Sequence, residues 1–144
     1  MMNLSGIEKK QIKEQGILWG LVVLVATLMG VVSHLLLLAL HTATDFRENH
    51  NYLLLVLPLI GVLTAFVYQN FGQGSQKGNN LIIESTQKEI HVPFRMGIFT
   101  FIFTILTHLF GGSAGREGSA VQIGGVLANQ AGKRVGLPFD LRKK

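Results

Sequence analysis

The feature that most constrains this sequence is an apolar run over residues 17–40, which holds 24 residues and no Asp, Glu, Lys or Arg. A helix over this run rises about 1.5 Å per residue and is long enough to cross the hydrocarbon core of a bilayer with some tilt. A signal peptide has a shorter apolar segment that is closed by a small-residue cleavage site, and this run has neither property. The run therefore predicts a retained transmembrane helix.

The distribution of charge also favours a membrane protein. Charged residues make up 15% of the chain and hydrophobic residues 48%, whereas soluble domains carry about 25% charged residues. The charges gather in short stretches between apolar runs, as expected when lipid is the solvent. The formal net charge is +5, but the basic residues flank the spans, so we attribute them to membrane orientation and expect no nucleic-acid partner. The absence of cysteine excludes disulfides and thiolate metal sites.

The rest of the chain predicts an all-α integral membrane fold without strands. The expected elements are two spans, a short helix and a pair of helices, over residues 17–40, 52–68, 80–89, 95–110 and 119–132. A polar loop and a glycine-rich segment separate the first three, over 41–51 and 69–80. We divide the chain into an N-terminal cytoplasmic segment, a transmembrane domain and a basic tail, over 1–16, 17–134 and 135–144.

Lysine and arginine set the expected orientation, because cytoplasmic loops carry an excess of both. Basic residues precede the first span and lie between the second and the third: Lys9, Lys10, Lys13, Lys77, Lys88 and Arg95. The loop after the first span has only Arg47. The pattern predicts a multi-pass protein of the cell membrane, with its N-terminus and the segment after the second span in the cytoplasm.

A glycine-rich break over residues 111–118, which reads GGSAGREG, follows the third apolar run. That run, over 96–110, is too short to cross a bilayer alone, so we expect the break to lie within the membrane. Irregular backbone at this depth is found where protein or a water-filled cavity covers it. The break therefore predicts that Glu117 stands near a cavity, at the N-terminus of the next helix, where free N–H groups and the helix dipole attract anions.

Residue chemistry alone leaves two interpretations of Glu117 open. A carboxylate within the membrane indicates a functional site, since it would block an anion path when ionised and leave that path when protonated. An ordinary acid in the first turn of a helix beside an aqueous loop has the same sequence pattern. A nucleotide site is disfavoured, because no Gly-Lys-Ser/Thr follows the glycines. We find no catalytic constellation and no metal-ligand spacing among the five histidines, so we expect neither an enzyme nor a cofactor.

Residues 115–125 read GREGSAVQIGG, and this segment resembles the G-K/R-E-G-x-x-V-Q-x-G signature of the CLC chloride channel and transporter family. The order of elements over most of residues 17–134 is also similar to that family. The resemblance implies an inverted-repeat helical fold with broken, re-entrant helices, which moves anions and, in its antiporters, protons. It implies that Glu117 is the gating glutamate, which exchanges protons and competes with the anion. Its neighbours become anion-binding candidates: Gly115, Arg116, Gly118 and Ser119.

Two departures from the chloride-type pattern resemble the fluoride-exporting branch of the family. Chloride-type members carry a Gly-Ser-Gly-Ile-Pro loop before the short helix, whereas this chain reads GQGSQKGNNLI, with Ser75 placed too early. Ser119 also stands where chloride-type members usually have proline. That branch replaces the loop serine with methionine or asparagine, which makes Asn79 the matching residue and Asn80 the alternative. Apart from the resemblance, either asparagine would be interpreted as a helix N-cap.

The resemblance predicts a fluoride/proton antiporter, represented here by its N-terminal part. The family's chains are several times longer and contain two inverted repeats, so we interpret these residues as a fragment, a truncated product or one part of a split protein. The remaining part of the transporter and a second copy of it are then expected partners. The alternatives are a chloride/proton antiporter, a chloride channel, and a membrane subunit or scaffold that transports nothing itself.

Overall fold

The computed structural model describes residues 4–136, and their side chains from Ile12 onward, so most of the predicted basic tail lies outside the described residues. Five α-helices follow one another: α1 Leu4–Glu48, α2 Leu57–Phe71, α3 Asn79–Gln87, α4 Phe94–Leu109 and α5 Arg116–Arg134. Two short 3-10 helices connect them, Asn51–Val56 and Ser75–Lys77. No strand occurs over residues 4–136, and the predicted all-α fold is confirmed.

Helix α1 is longer than predicted, and the polar loop expected over 41–51 is wrong because the helix continues to Glu48. The polar side chains in this stretch bond within the helix instead of ending it. The hydroxyl groups of Thr42 and Thr44 donate to the carbonyls four residues earlier, at 2.9 and 2.8 Å, and His41 Nδ1 lies 2.8 Å from Asp45 Oδ2. Ala43 is buried here as well, so packing also favours the helix over a loop.

The second span begins with a 3-10 turn, and its α-helical part starts at Leu57 rather than at residue 52. Pro58 lies in the first turn of α2, where proline disrupts no helical hydrogen bond. Together Asn51–Phe71 make 21 residues that are long and apolar enough to cross a membrane, as are the 37 residues Ile12–Glu48. Helix α4 is apolar but has only 16 residues, as the sequence predicted for the third run.

Helices α4 and α5 form an antiparallel hairpin around the predicted break. Thr100 Oγ1 donates to Gln122 Oε1 at 2.7 Å, and Thr104 Oγ1 lies 2.8 Å from Ser119 Oγ. The break forms the turn of the hairpin, and it contains Gly111 with φ +85°, a left-handed conformation that glycine adopts without a Cβ penalty. The following helix begins at Arg116, three residues before the predicted start at Ser119.

Helix α5 is the central element, because three other helices pack on it, two of them at its glycines. An added Cβ at Gly124 would lie 3.6 Å from the Met29 side chain of α1, and one at Gly125 only 2.5 Å from Ile82 of α3. On the third side Val126 lies over Gly97 of α4. Small residues at these contacts let the helix backbones approach one another closely. Two buried clusters hold the N-terminal half of α5 in place: Leu81, Val92, Met96 and Val126, and Leu36, Leu40 and Ile123.

Candidate functional site

The N-termini of α3 and α5 lie side by side and point toward the same end of the molecule. An added Cβ at Gly118 would lie 3.4 Å from Asn79 Nδ2, which places the first residue of α3 against the first turn of α5. Further along, Ile82 of α3 contacts Gly125 of α5, so the two helices run in the same direction. Two sets of free N–H groups and two positive dipole ends therefore meet at one place.

Glu117 is the second residue of α5 and the acid of its first turn. Its side chain is exposed and forms no ion pair with any described residue. Its neighbour Arg116 borders a cleft of about 240 Å³ that is otherwise lined by the end of α1, including His41 and Asp45. Glu117 therefore lies level with the end of the apolar part of α1, where the uncharged run gives way to polar residues.

The first turn of α5 is fixed by Ser119. Its hydroxyl donates to the carbonyl of Gly115 at 2.9 Å and lies 2.8 Å from Thr104 Oγ1 of α4. Ser119 and Thr104 are 6% and 5% exposed, so this contact belongs to the interior of the hairpin. The Ser119 hydroxyl thus anchors the turn that carries Glu117, and its direct contact with an anion remains a prediction.

The two asparagines of the glycine-rich loop have different surroundings. Neither is the N-cap of α3, because Gly78 takes that position and no side chain caps the helix; the N-cap interpretation of Asn79 and Asn80 is therefore wrong. Asn80 is exposed. Asn79 lies against Gly118, and its Oδ1 is buried with no hydrogen-bond partner among the described residues. The unpartnered Oδ1 is an acceptor, and the Nδ2 donor of Asn79 is the atom that lies beside the first turn of α5.

A polar cleft that the sequence analysis missed opens between α2, α4 and the glycine-rich loop. Its volume is about 580 Å³, and hydroxyl and amide side chains contribute to its lining: Thr64, Tyr68, Gln69, Ser75, Gln76, Thr107 and Gln122. Thr107 is the residue of α4 in this lining. Thr100, Thr104 and Thr107 are spaced by four and three residues on one side of an otherwise apolar helix, but the hydroxyl groups of the first two bond to α5 and do not line the cleft.

The site as a whole combines hydrogen-bond donors with one exchangeable carboxyl group. The donors are helix N–H groups at the start of α3 and α5 and the Asn79 amide, and the carboxyl group is that of Glu117. Helix N–H groups suit a small anion, since they attract negative charge without forming a permanent ion pair, and the guanidinium group of Arg116 at the start of α5 adds a positive charge nearby. An ionised carboxylate near such donors can compete with an anion for them, and it loses that attraction when it takes up a proton.

Comparison with known proteins identifies the family of this chain. The sequence model of the voltage gated chloride channel family matches residues 60–144. A chloride/fluoride channel protein of Pseudomonas syringae pv. tomato is 46% identical over 112 residues, which cover 74% of this chain and 24% of the relative. The chain thus spans about a quarter of the length of the relative it matches. It belongs to the voltage gated chloride channel (CLC) family, whose members are membrane channels and transporters.

Proposed function

We propose that this chain is the N-terminal part of a fluoride/proton antiporter that exports fluoride, with Glu117 as its gate. The observation that carries the proposal is the contact between Asn79 and the first turn of α5, which bears Glu117 two residues into the helix. This contact places an amide donor, two helix N-termini and a carboxyl group within one small region. In this proposal the N–H and amide groups hold the anion, and the Glu117 carboxyl group carries the proton.

Competition for one position couples the two ions in this mechanism. Ionised Glu117 is attracted to the N–H groups at the start of α3 and α5 and occupies the place that an anion would take. An arriving anion repels the carboxylate and so favours its protonation. The protonated side chain loses its attraction to the helix ends and moves away, carrying its proton. The backbone N–H groups around Gly115, Arg116 and Gly118 then hold the anion instead.

Two observations favour fluoride over chloride. Ser75, the serine of the loop, is 1% exposed, and its hydroxyl donates to the carbonyl of Gly72, so its donor is used within the loop. Asn79 supplies the side-chain donor in its place. Fluoride is the smaller anion and the stronger hydrogen-bond acceptor, so close N–H donors interact with it more strongly than with chloride and offset more of its larger cost of dehydration. Asn80, which is exposed, is the alternative donor.

The proposal also includes an arrangement in the membrane. The excess of lysine and arginine before the first span and after the second supports a cytoplasmic N-terminus in the cell membrane. The proposed partners are the bilayer, the remaining part of the transporter and a second copy of the complete protein. Fluoride leaving the cell would then exit on the side where the α4–α5 turn lies.

The proposal predicts that the complete protein, reconstituted in liposomes, releases fluoride in preference to chloride and takes up protons as it does so. Fluoride and chloride electrodes measure the two effluxes, and a pH electrode measures proton uptake. Faster chloride efflux with proton uptake would identify a chloride/proton antiporter, and anion efflux without proton movement would identify a channel. A complete protein that moves neither anion would favour the subunit or scaffold.

The Asn79→Ser variant is expected to lower the ratio of fluoride to chloride efflux by about tenfold, because a hydroxyl replaces the amide donor beside Gly118. Asn80→Ser makes the same chemical change one residue away, at an exposed position, and should leave the ratio near its wild-type value. The same electrodes measure both variants. A large effect at position 80 and none at 79 would transfer the role to Asn80.

A further inference from the structure

Gln122 lies one helical turn beyond Gly118, on the same side of α5. Its Oε1 accepts a hydrogen bond from Thr100 Oγ1 at 2.7 Å. Thr100 is only 5% exposed, so its hydroxyl is held inside the α4–α5 hairpin. Because the amide oxygen is engaged toward α4, the orientation of the amide plane is fixed, and its nitrogen points away from α4.

The amide nitrogen of Gln122 faces the glycine-rich loop. An added Cβ at Gly78 would lie 3.5 Å from Gln122 Nε2, and one at Gly118 would lie 3.4 Å from Asn79 Nδ2. Gly78 directly precedes Asn79. Two amide nitrogens, which are donors only, therefore follow each other along the seam between the loop and α5.

Gln122 also reaches the polar cleft of about 580 Å³, whose lining includes Thr64, Tyr68 and Thr107. It thus connects the surroundings of Asn79 with a space between α2 and α4 that is rich in hydroxyl groups. Glu117 does not line this cleft, which lies further along α5 from the helix start. An anion that passed Asn79 would meet Gln122 next.

We propose that Gln122 is a second hydrogen-bond donor on the anion path, and that Thr100 is a positioning residue that orients it. The inference deepens the proposed anion transport and rests on it. In this inference, two amide donors that follow each other along the path select the anion. Asn79 and Gln122 replace part of the hydration shell of a small, strongly accepting anion, and a larger, weaker acceptor gains less from the same two amides.

The test uses the complete protein in liposomes, with fluoride efflux, chloride efflux and proton uptake measured together. Gln122→Met keeps the length of the side chain and removes the donor, and it is expected to lower fluoride efflux and the fluoride-to-chloride ratio about tenfold. Protons moved per fluoride should stay unchanged, because Glu117 is intact. Gln122→Glu keeps an oxygen facing Thr100 and replaces the donor with a charge that repels anions, so its loss should be larger still.

The positioning role of Thr100 has its own pair of variants. Thr100→Val is nearly isosteric and removes the hydroxyl, so the freed amide of Gln122 should lower the fluoride-to-chloride ratio severalfold. Thr100→Ser restores the hydroxyl and is expected to return the ratio to near wild type. A role limited to packing would give the opposite order, because serine loses the methyl group and valine keeps the volume.

Gln130 provides a matched control on the same helix. Its Nε2 donates to the carbonyl of Val92 at 2.9 Å, far from the loop, so Gln130→Met should affect stability but not the fluoride-to-chloride ratio. An unchanged ratio in Gln122→Met, or equal ratios in the two methionine variants, would overturn the inference. If the wild-type protein instead prefers chloride, the fluoride proposal fails, and chloride efflux by Gln122→Met then tests the role of Gln122. Slower chloride efflux than in the wild type would support that role, and efflux at the wild-type rate would refute it.

Discussion

Replacing Glu117 with glutamine in the complete protein is expected to abolish proton movement coupled to fluoride. Glutamine has nearly the shape of glutamate but carries no proton that it can exchange. The side chain is exposed and has no ion-pair partner in the described part of the chain, so the substitution breaks no salt bridge. The packing of the first turn, which depends on Ser119 and Thr104, is untouched. A loss of coupling would therefore reflect lost titration rather than unfolding.

The assay is proton uptake driven by an imposed fluoride gradient, read beside fluoride efflux from the same vesicles. Fluoride efflux should stop as well if the movement of the side chain is obligatory for each cycle. Glu48→Gln is a suitable control, because Glu48 is an exposed acid at the end of α1 and lies outside the proposed path. Wild-type coupling in Glu117→Gln would show that Glu117 is an ordinary first-turn acid, favoured only by the helix dipole.

The sequence was sufficient for most of the fold, because membrane spans leave a strong local signal. The uncharged run over 17–40 predicted α1, and the glycines of GGSAGREG predicted the break that contains Glu117. The prediction of a loop over 41–51 was wrong, also for a local reason. Its polarity suggested a turn, but Thr42, Thr44 and His41 bond to groups four residues away in their own helix, and composition does not reveal which partner a polar side chain takes.

The site was only partly predictable, since its central contact joins distant parts of the chain. The position of Glu117 at a helix N-terminus follows from the GREG motif and local rules. The contact of Asn79 with Gly118 depends on how α3 packs on α5, and periodicity carries no information about that. The resemblance to the family identified Asn79 as a candidate. Neither the local sequence rules nor the resemblance predicted the Thr100–Gln122 hydrogen bond.

The packing of α3 on α5 gives the second large effect that we expect. Gly125→Ala should destabilise the protein by about 1–3 kcal/mol, because the new methyl group would lie 2.5 Å from Ile82 Cγ2 and 3.0 Å from its Cδ1. Isoleucine is branched at Cβ and its χ1 angle is stiff, so Ile82 cannot swing aside and α3 must shift as a whole. Since Asn79 is the first residue of that helix, the fluoride-to-chloride ratio should fall together with stability.

The adjacent glycine supplies the control, because the same substitution meets a different environment there. An added Cβ at Gly124 would lie 3.6 Å from Met29, an ordinary contact with a flexible side chain, and alanine is favoured over glycine in a helix by about 1 kcal/mol. Gly124→Ala should therefore leave the thermal unfolding temperature in detergent unchanged or raise it, while Gly125→Ala lowers it. Ile82→Ala removes the clashing atoms, so adding it to Gly125→Ala should cost less than the sum of the two single effects. Equal unfolding temperatures for the two glycine variants would mean that Ile82 does not lie on α5, and the contact that places Asn79 beside Gly118 would lose its support.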